Sequence, residues 1–247
     1  MEQAGVRGAP SLLRHLSRIP ALNQRVATVT LPSGVRLSFP AYDHYWCRYL
    51  YAGKPYEPDV ERIFRRLGKG RVLVDCGANI GYWSVRHREF GFTGSIAIEA
   101  NPRLIPFLRR NHAGPVHHAA VHSRSGETLL LGGSGAIGRI AACGVPVQTL
   151  ALRDLGVDAP ALVKLDVEGS EIPAIEGLGD MDAILAYEDF PRQGMKVTRY
   201  LLDRGWKIFS DSLEPITSAE SVSADLGKGI PRNLVAARDA SDLTRFD

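Results

Sequence analysis

The sequence predicts an α/β fold in which helices cover both faces of a mostly parallel, doubly wound sheet. Two observations support this prediction: from Arg71 onward short apolar runs alternate with helical patterns, and a glycine-rich turn follows the first run. Because apolar residues follow one another in these runs, they fit strands that are buried on both faces. The runs predicted as strands are VLVD (72–75), SIAIE (95–99), VHHAAV (116–121), ALVKLD (161–166) and AILAYE (183–188).

Later segments complete the predicted sheet. A helix is predicted over 192–204, followed by two closing strands at 206–209 and 234–237. Between the third and fourth strands lies a glycine-rich stretch, 131–144, which is too long for a simple turn. We therefore predict a mobile loop there.

Residues 1–68 do not share this alternation and are predicted to form an extension. A short amphipathic helix is predicted over 11–18, and residues 26–39 alternate around a Pro-Ser-Gly turn, which is typical of a β-hairpin. Asp43 is predicted to cap an aromatic helix that runs to Tyr51, and Gly68 to end a second helix that starts at Pro58. The main domain is then 69–247.

Length and composition are those of an ordinary globular chain. The 247 residues are 45% hydrophobic and 23% charged, with a formal net charge of +3. No apolar run approaches the roughly 18 residues of a membrane span, so we expect no membrane span and a cytoplasmic location. The arginine-rich residues 1–30 also fit an organellar transit peptide, which is a second interpretation. The three cysteines are widely spaced and fit reduced thiols.

The glycine-rich turn after the first strand predicts a ligand-binding site. It reads Asp75-Cys-Gly77-Ala78-Asn79-Ile-Gly81, and its glycines let the backbone pass close to a ligand. A helix that begins near Asn79 would direct unpaired N–H groups toward a carboxylate or phosphate. The spacing departs from the Gly-x-Gly-x-x-Gly of most dinucleotide sites.

Two further acidic positions follow predicted strands. Glu99 stands 24 residues after Asp75, where doubly wound folds place an acid that accepts hydrogen bonds from both ribose hydroxyls. The run VKLDVEGSE (163–171) places Asp166 at the end of the fourth strand, with Glu168 and Glu171 close behind. Ligands in such sheets lie outside the carboxyl ends of the strands, so these acids are predicted to face one site.

Together, DCGANIGYWS (75–84), EANP (99–102) and VKLDVEGSEIPAIEG (163–177) resemble the motifs of the FkbM family of methyltransferases. The resemblance implies a class I methyltransferase with a Rossmann-like, seven-stranded sheet. Such an enzyme moves a methyl group from S-adenosylmethionine to a hydroxyl of a sugar, a glycan or a polyketide-type natural product. On this basis 69–247 is predicted to be the methyltransferase domain. Apart from the resemblance, we expect residues 1–68 to form an acceptor lid or a contact in a homodimer.

The resemblance also implies roles for individual residues. The glycine-rich turn would hold the methionine part of the cofactor, and Glu99 the ribose. His118 departs from the family's pattern, because such sequences often have Asn there. The residues implied to bind the cofactor are Asp75, Gly77, Ala78, Asn79, Gly81, Glu99, Ala100, Asn101, His118 and Asp166.

An alcohol that accepts a methyl group must lose its proton, so a general base is expected beside the acceptor. Asp166 is the first candidate, and Glu168 and Glu188 follow, since carboxylates that lie close together have raised pKa values. Two other interpretations stay open. Glu168 and Glu171 cap the next helix, or Asp166, Glu168 and Glu188 bind Mg²⁺, although no metal is required for the transfer.

The aromatic helix allows two interpretations as well. Tyr42, Tyr45, Trp46 and Tyr49 either form a platform for a sugar or macrocycle or belong to the core. We expect a small-molecule or glycan acceptor and no nucleic acid, because no Asn/Asp-Pro-Pro-Tyr/Phe stretch follows the fourth strand. A non-catalytic protein that binds a partner, and an NAD-dependent oxidoreductase, are the remaining alternatives.

Overall fold

The computed structural model describes residues 25–51, 53–134, 137–224 and 232–246. The helix predicted at 11–18 and most of the arginine-rich residues 1–30 lie outside these ranges. In the described part of the chain, no helix combines the length and the apolar character that crossing a lipid bilayer requires.

The N-terminal segment, defined here as residues 25–68, has the predicted elements. They are the antiparallel strands β1 (Val26–Thr30) and β2 (Arg36–Pro40) and the helices α1 (His44–Leu50) and α2 (Pro58–Leu67). Asp43 caps α1 as predicted, because its Oδ1 accepts hydrogen bonds from the backbone N–H groups of Tyr45, at 2.9 Å, and Trp46, at 3.2 Å. At the other end, the Gly68 N–H donates to Phe64 O of α2, at 2.9 Å.

Within the described ranges, eight strands form the main sheet, in the order β13-β12-β14-β11-β10-β3-β4-β5. β3, β4, β5, β10 and β11 are parallel, and β14 runs antiparallel between β11 and β12. The bounds are β3 (Val72–Cys76), β4 (Gly94–Glu99), β5 (Val116–His118), β10 (Ala161–Leu165), β11 (Ala183–Asp189), β12 (Lys207–Phe209), β13 (Pro215–Ile216) and β14 (Arg232–Ala237).

The predicted fold class is confirmed. Chain order runs outward from β3 to β5 on one side and from β10 to β11 on the other, so the sheet has its switch point between β3 and β10. The strand beyond the predicted seven is the two-residue β13 at the edge. It is too short to give a pattern in the sequence.

Helices cover both faces of this sheet. Neighbouring residues of each central strand point to opposite faces, and both members are almost fully buried, as with Leu162 and Val163 of β10. Leu162 belongs to a core cluster with α1, α2 and the helix at 82–86. Val163 belongs to a cluster with the helices at 171–176 and 196–202. The remaining helices are α3 (Tyr82–Arg86), α4 (Ile105–Asn111), α5 (Glu171–Glu176), α6 (Lys196–Leu202) and α7 (Ala219–Ala224).

A second sheet replaces the predicted mobile loop at 131–144, so that prediction was wrong. In the described ranges it has the order β6-β9-β7-β8, and β7 and β8 form an antiparallel hairpin. The glycines suggested a loop, but Leu131 and Val147 are buried between the strands and hold them together. The bounds are β6 (Ala120–Val121), β7 (Thr128–Ser134), β8 (Ile137–Ile140) and β9 (Val145–Leu150).

The strand predicted over 116–121 is split between the two sheets. β5 ends at His118, and the Ala119 N–H donates to the Glu99 carbonyl at 3.1 Å, which is the last hydrogen bond of the parallel ladder between β4 and β5. β6 then pairs with β9. This change of partner brings the second sheet next to the carboxyl end of β4.

Candidate active site

A cleft lies at the carboxyl ends of β3, β4 and β10, beside the switch point of the main sheet. Side chains from the N-terminal segment, the glycine-rich turn, both sheets and the loop after β10 line it. The lining residues are Tyr45, Tyr56, Gly77, Asn79, Ile98, Glu99, Ala100, Ala119, Ala120, Val121, Leu131, Ile140, Asp166, Val167, Glu168 and Ser170.

Gly77 brings the glycine-rich turn against the end of β10. Its φ is +78°, and a Cβ at this position would lie 1.9 Å from the carbonyl oxygen of Asp166. The N–H groups of Gly77 and Ala78 both donate to Ile98 O, at 2.9 and 3.0 Å. A side chain at Gly77 would therefore separate the turn from Asp166.

The helix predicted to begin near Asn79 begins at Tyr82, which corrects one part of the prediction. The N–H of Asn79 donates to Glu99 Oε2 at 2.8 Å, and the N–H of Gly81 donates to Ala78 O at 2.8 Å. These groups hold the turn together and do not point at a ligand. Gly81 faces α4, where an added Cβ would lie 2.7 Å from Leu108 Cδ1.

Asp75 lies behind the cleft and does not line it. Its side chain is 1% exposed, and Oδ2 accepts a hydrogen bond from the Ser84 hydroxyl at 2.6 Å. Oδ1 has no hydrogen-bond partner among the described residues. Burial raises the pKa of Asp75, while Lys164 and Ser84 act in the opposite direction.

Glu99 ends β4 and lines the cleft, as predicted. Its two carboxylate oxygens accept backbone N–H groups from different turns: Oε2 from Asn79, at 2.8 Å, and Oε1 from Asn101, at 2.7 Å. Burial raises the pKa of Glu99 to about 7, although these two donors oppose the rise. The carboxyl is thus fixed in orientation by the backbone.

The three other predicted cofactor residues near Glu99 have different surroundings. Ala100 lines the cleft, whereas Asn101 is buried and its Oδ1 accepts the Arg103 N–H at 3.1 Å. His118 is exposed outside the cleft, with its Nε2 3.2 Å from the carbonyl oxygen of Ala100. The structure therefore does not bring His118 together with the other predicted residues.

Asp166 lines the cleft and has a buried cation beside it. The ammonium of Lys164, a residue that is 3% exposed, donates to Asp166 Oδ2 at 3.0 Å. Burial opposes the charge of Lys164, but the carboxylates of Asp166, Glu57 and Asp75 outweigh it and raise the lysine pKa. Lys164 is therefore charged, and its charge opposes the rise in the pKa of Glu57 and Asp75.

The other predicted acids do not all reach the cleft. Glu168 lines the cleft, whereas Glu171 is buried and its Oε1 accepts the N–H groups of Val167, at 3.3 Å, and Gly169, at 3.1 Å. Glu188, near the end of β11, does not line the cleft. Burial and the neighbouring Asp166 raise its pKa to about 8.

No group of three or more His, Cys, Asp and Glu side chains suited to a metal ion occurs in the ranges that the structure describes. The cation observed beside Asp166 is the Lys164 ammonium, 3.0 Å from Oδ2.

The sequence did not point to Lys164, Tyr56 or Glu57. Glu57 accepts the indole N–H of Trp83 at 2.8 Å, and burial raises its pKa while Lys164 opposes the rise. A lysine inside an apolar strand is the one signal for Lys164 that was present. Tyr56 and Glu57 carry no motif, because a contact between distant segments leaves no local pattern.

Solved structures similar to this chain include two methyltransferases and the protein TYW2. The methyltransferase FkbM from Methylobacillus flagellatus is 17% identical, with 93% of this chain and 60% of that chain covered and a TM-score of 0.45. A TehB-like S-adenosylmethionine-dependent methyltransferase from Corynebacterium glutamicum is 13% identical, with 80% and 96% covered and a TM-score of 0.48. TYW2 from Pyrococcus horikoshii, in complex with MeSAdo, is 16% identical, with 87% and 72% covered and a TM-score of 0.46.

No protein-family model and no curated protein matches the chain. The chain spans 60% of the length of the FkbM structure that it matches. The assignment of the fold therefore depends on the chain's own strand order, in which β14 runs antiparallel between β11 and β12. By that order, the chain has the Rossmann-like fold of the class I methyltransferases.

Proposed function

We propose that this chain is an S-adenosylmethionine-dependent methyltransferase that acts on a hydroxyl group. The observation that supports this most is the geometry of Glu99 in the cleft. Each of its oxygens accepts one backbone N–H, and a carboxylate has about four lone-pair sites. The lone pairs that are left suit the two hydroxyls of a ribose.

The rest of the cleft fits the same cofactor. Gly77 and Asn79 line the part next to Asp166, where the methionine portion belongs in this proposal. Ala100, Leu131 and Ile140 add apolar surface that suits an adenine ring. When bound, S-adenosylmethionine supplies an electrophilic methyl group on its sulfonium sulfur.

Asp166 is the base in this proposal. Its carboxylate lines the cleft, and Lys164 holds one of its oxygens, which leaves the other free to take the proton of the acceptor hydroxyl. Glu188, whose pKa is about 8, is the alternative base. It takes the proton in place of Asp166 if the acceptor lies nearer to β11. Much of the rate is expected from alignment of the oxygen and exclusion of water.

The N-terminal segment forms the acceptor wall in this proposal. Tyr45 and Tyr56 line the cleft together with Asp166 and Glu168, so aromatic rings and carboxylates meet in one place. This combination suits a sugar, a glycan or a polyketide-type product, whose apolar faces pack on rings and whose hydroxyls donate to carboxylates. Residues 69–247 supply the cofactor half of the cleft.

Calorimetric titration of the purified protein with S-adenosylhomocysteine, and separately with NAD, tests the cofactor class. Binding of S-adenosylhomocysteine alone, unchanged by addition or chelation of Mg²⁺, is the expected result. Binding of NAD instead would favour an oxidoreductase, and binding of neither would favour a protein that only binds a partner. Transfer of a labelled methyl group to a panel of glycosides and macrolides then tests the acceptor.

A further inference from the structure

The N-terminal segment reaches the glycine-rich turn through the buried indole of Trp46. Trp46 lies on α1 and is 0% exposed, and its Nε1–H donates to Asn79 Oδ1 at 3.0 Å. Asn79 lines the cleft, whereas Trp46 does not. This hydrogen bond therefore joins a residue outside the predicted motifs to one inside them.

Asn79 has a backbone conformation that needs support. Its φ is +54°, in the left-handed region that residues other than glycine enter at a cost, although asparagine tolerates it better than most. In this conformation the Asn79 N–H donates to Glu99 Oε2 at 2.8 Å. Because the hydrogen bond from Trp46 restrains the Asn79 side chain, it also restrains the Asn79 N–H, which orients Glu99.

We propose that Trp46 is a positioning residue for the cofactor site. Its indole N–H fixes Asn79, and through Asn79 it fixes Glu99 in the orientation that meets both ribose hydroxyls. Trp46 thereby acts on cofactor affinity without touching the cofactor. This inference rests on the proposed function, because it requires Glu99 to bind a ribose.

The ring of Trp46 also packs in the core, so the test must separate the ring from its N–H. The ring lies 5.9 Å from that of Tyr82 and 4.9 Å from that of Tyr56, measured between centroids. Trp46→Phe keeps an aromatic ring and removes the donor. Asn79→Gly removes the acceptor and keeps the left-handed backbone, which glycine adopts without strain.

Each single variant is expected to weaken S-adenosylhomocysteine binding about tenfold, the order expected for one buried hydrogen bond. The double variant should be no weaker than the weaker single one, because both changes break the same bond. Trp206→Phe is the matched control. That ring is only partly buried and contacts Arg238, away from the cleft, so its loss should leave the affinity unchanged.

A spectroscopic measurement reports on the N–H itself. The chain has three tryptophans, so the ¹H–¹⁵N spectrum has three indole signals, and Trp46→Phe identifies the signal of Trp46 by its loss. That signal should shift when S-adenosylhomocysteine is added to the wild-type protein. A residue that only fills the core would give no such shift.

The two proposals fail in distinguishable ways. If the wild-type protein does not bind S-adenosylhomocysteine, the proposed function is wrong and this inference falls with it. If the wild type binds and Asn79→Gly keeps its affinity within twofold, or the effects of the two changes multiply in the double variant, Trp46 does not position the site. Should Trp46→Phe fail to fold, Trp83→Phe and Trp206→Phe assign the other two indole signals by their loss, and the response of the remaining signal to S-adenosylhomocysteine decides the question.

Discussion

Replacing Gly77 with alanine is expected to destabilise the protein much more than the same change at Gly126. The two glycines have similar backbone conformations, with φ of +78° and +83°. Both substitutions therefore incur the cost of a side chain in the left-handed region, roughly 1–2 kcal/mol. Their surroundings differ, since nothing lies within 4 Å of a Cβ at Gly126.

The added carbon at Gly77 would lie 1.9 Å from the carbonyl oxygen of Asp166, whereas ordinary van der Waals contact begins near 3.4 Å. Both groups belong to the backbone, so no side chain can rotate to relieve the overlap. Forcing atoms into a filled site typically costs a further roughly 1–3 kcal/mol. We expect Gly77→Ala to lose roughly 2–5 kcal/mol in total, and Gly126→Ala only the first part.

Urea unfolding followed by circular dichroism measures the difference, with the slopes of the two transitions compared to confirm that both variants unfold in the same way. Calorimetry with S-adenosylhomocysteine adds a second readout, because a displaced Asp166 loop should also open the cleft. Equal unfolding midpoints for Gly77→Ala and Gly126→Ala would refute the reasoning, since the close approach at Gly77 would then carry no energetic cost.

Three more predictions concern the buried acids. Burial raises the pKa of Glu99 from its ordinary value of 4.5 to about 7 in the folded protein, so folding takes up a proton there. The free energy of unfolding should therefore fall as the pH rises from 4.5 to 7. In urea titrations, Glu99→Gln should remove the pH-dependent part of the unfolding free energy that comes from Glu99, which is on the order of 3 kcal/mol. Wild type should bind S-adenosylhomocysteine more tightly as the pH rises through 7. Asp166→Asn should lower methyl transfer by at least about 100-fold while calorimetry shows unchanged cofactor affinity. Ser84→Ala should cost about 1–3 kcal/mol in urea unfolding, because Asp75 Oδ2 loses its hydroxyl donor.

Each of these has an outcome that contradicts it. Wild type and Glu99→Gln with the same pH dependence of stability would show that Glu99 keeps an ordinary pKa. Turnover that survives Asp166→Asn would move the base to Glu188. A Ser84→Ala protein as stable as wild type would mean that water replaces the hydroxyl beside Asp75.

The central part of the fold could be predicted because strands buried on both faces need apolar residues at successive positions. Runs such as 161–166 and 183–188 are apolar at successive positions, and they became β10 and β11. The hairpin of β7 and β8 could not be predicted, because its stability comes from Leu131 packing against Val147, a contact between separate strands. The surrounding glycines gave the opposite indication.

The candidate site was predictable where it depends on strand ends. Glu99 and Asp166 meet in the cleft because parallel strands end at one edge of the sheet. His118 also ends a strand, but its side chain is exposed and lies outside the cleft. Lys164 was missed although Asp166 stands two residues after it, because Glu57 and Asp75, which also favour its charge, come from other segments.

Tyr56 belongs both to the cleft and to the core, and this limits which substitutions the position can accept. It lines the cleft, yet it also lies in the core cluster that joins Phe64 of α2 to Ile80 and Trp83 beside the glycine-rich turn. A mutation that reshapes the acceptor wall at this position therefore also removes packing from the core. New acceptor preferences are expected to evolve only in variants that first gain stability elsewhere. Because the N-terminal segment supplies part of this core cluster, a chain shortened to 69–247 should not fold by itself.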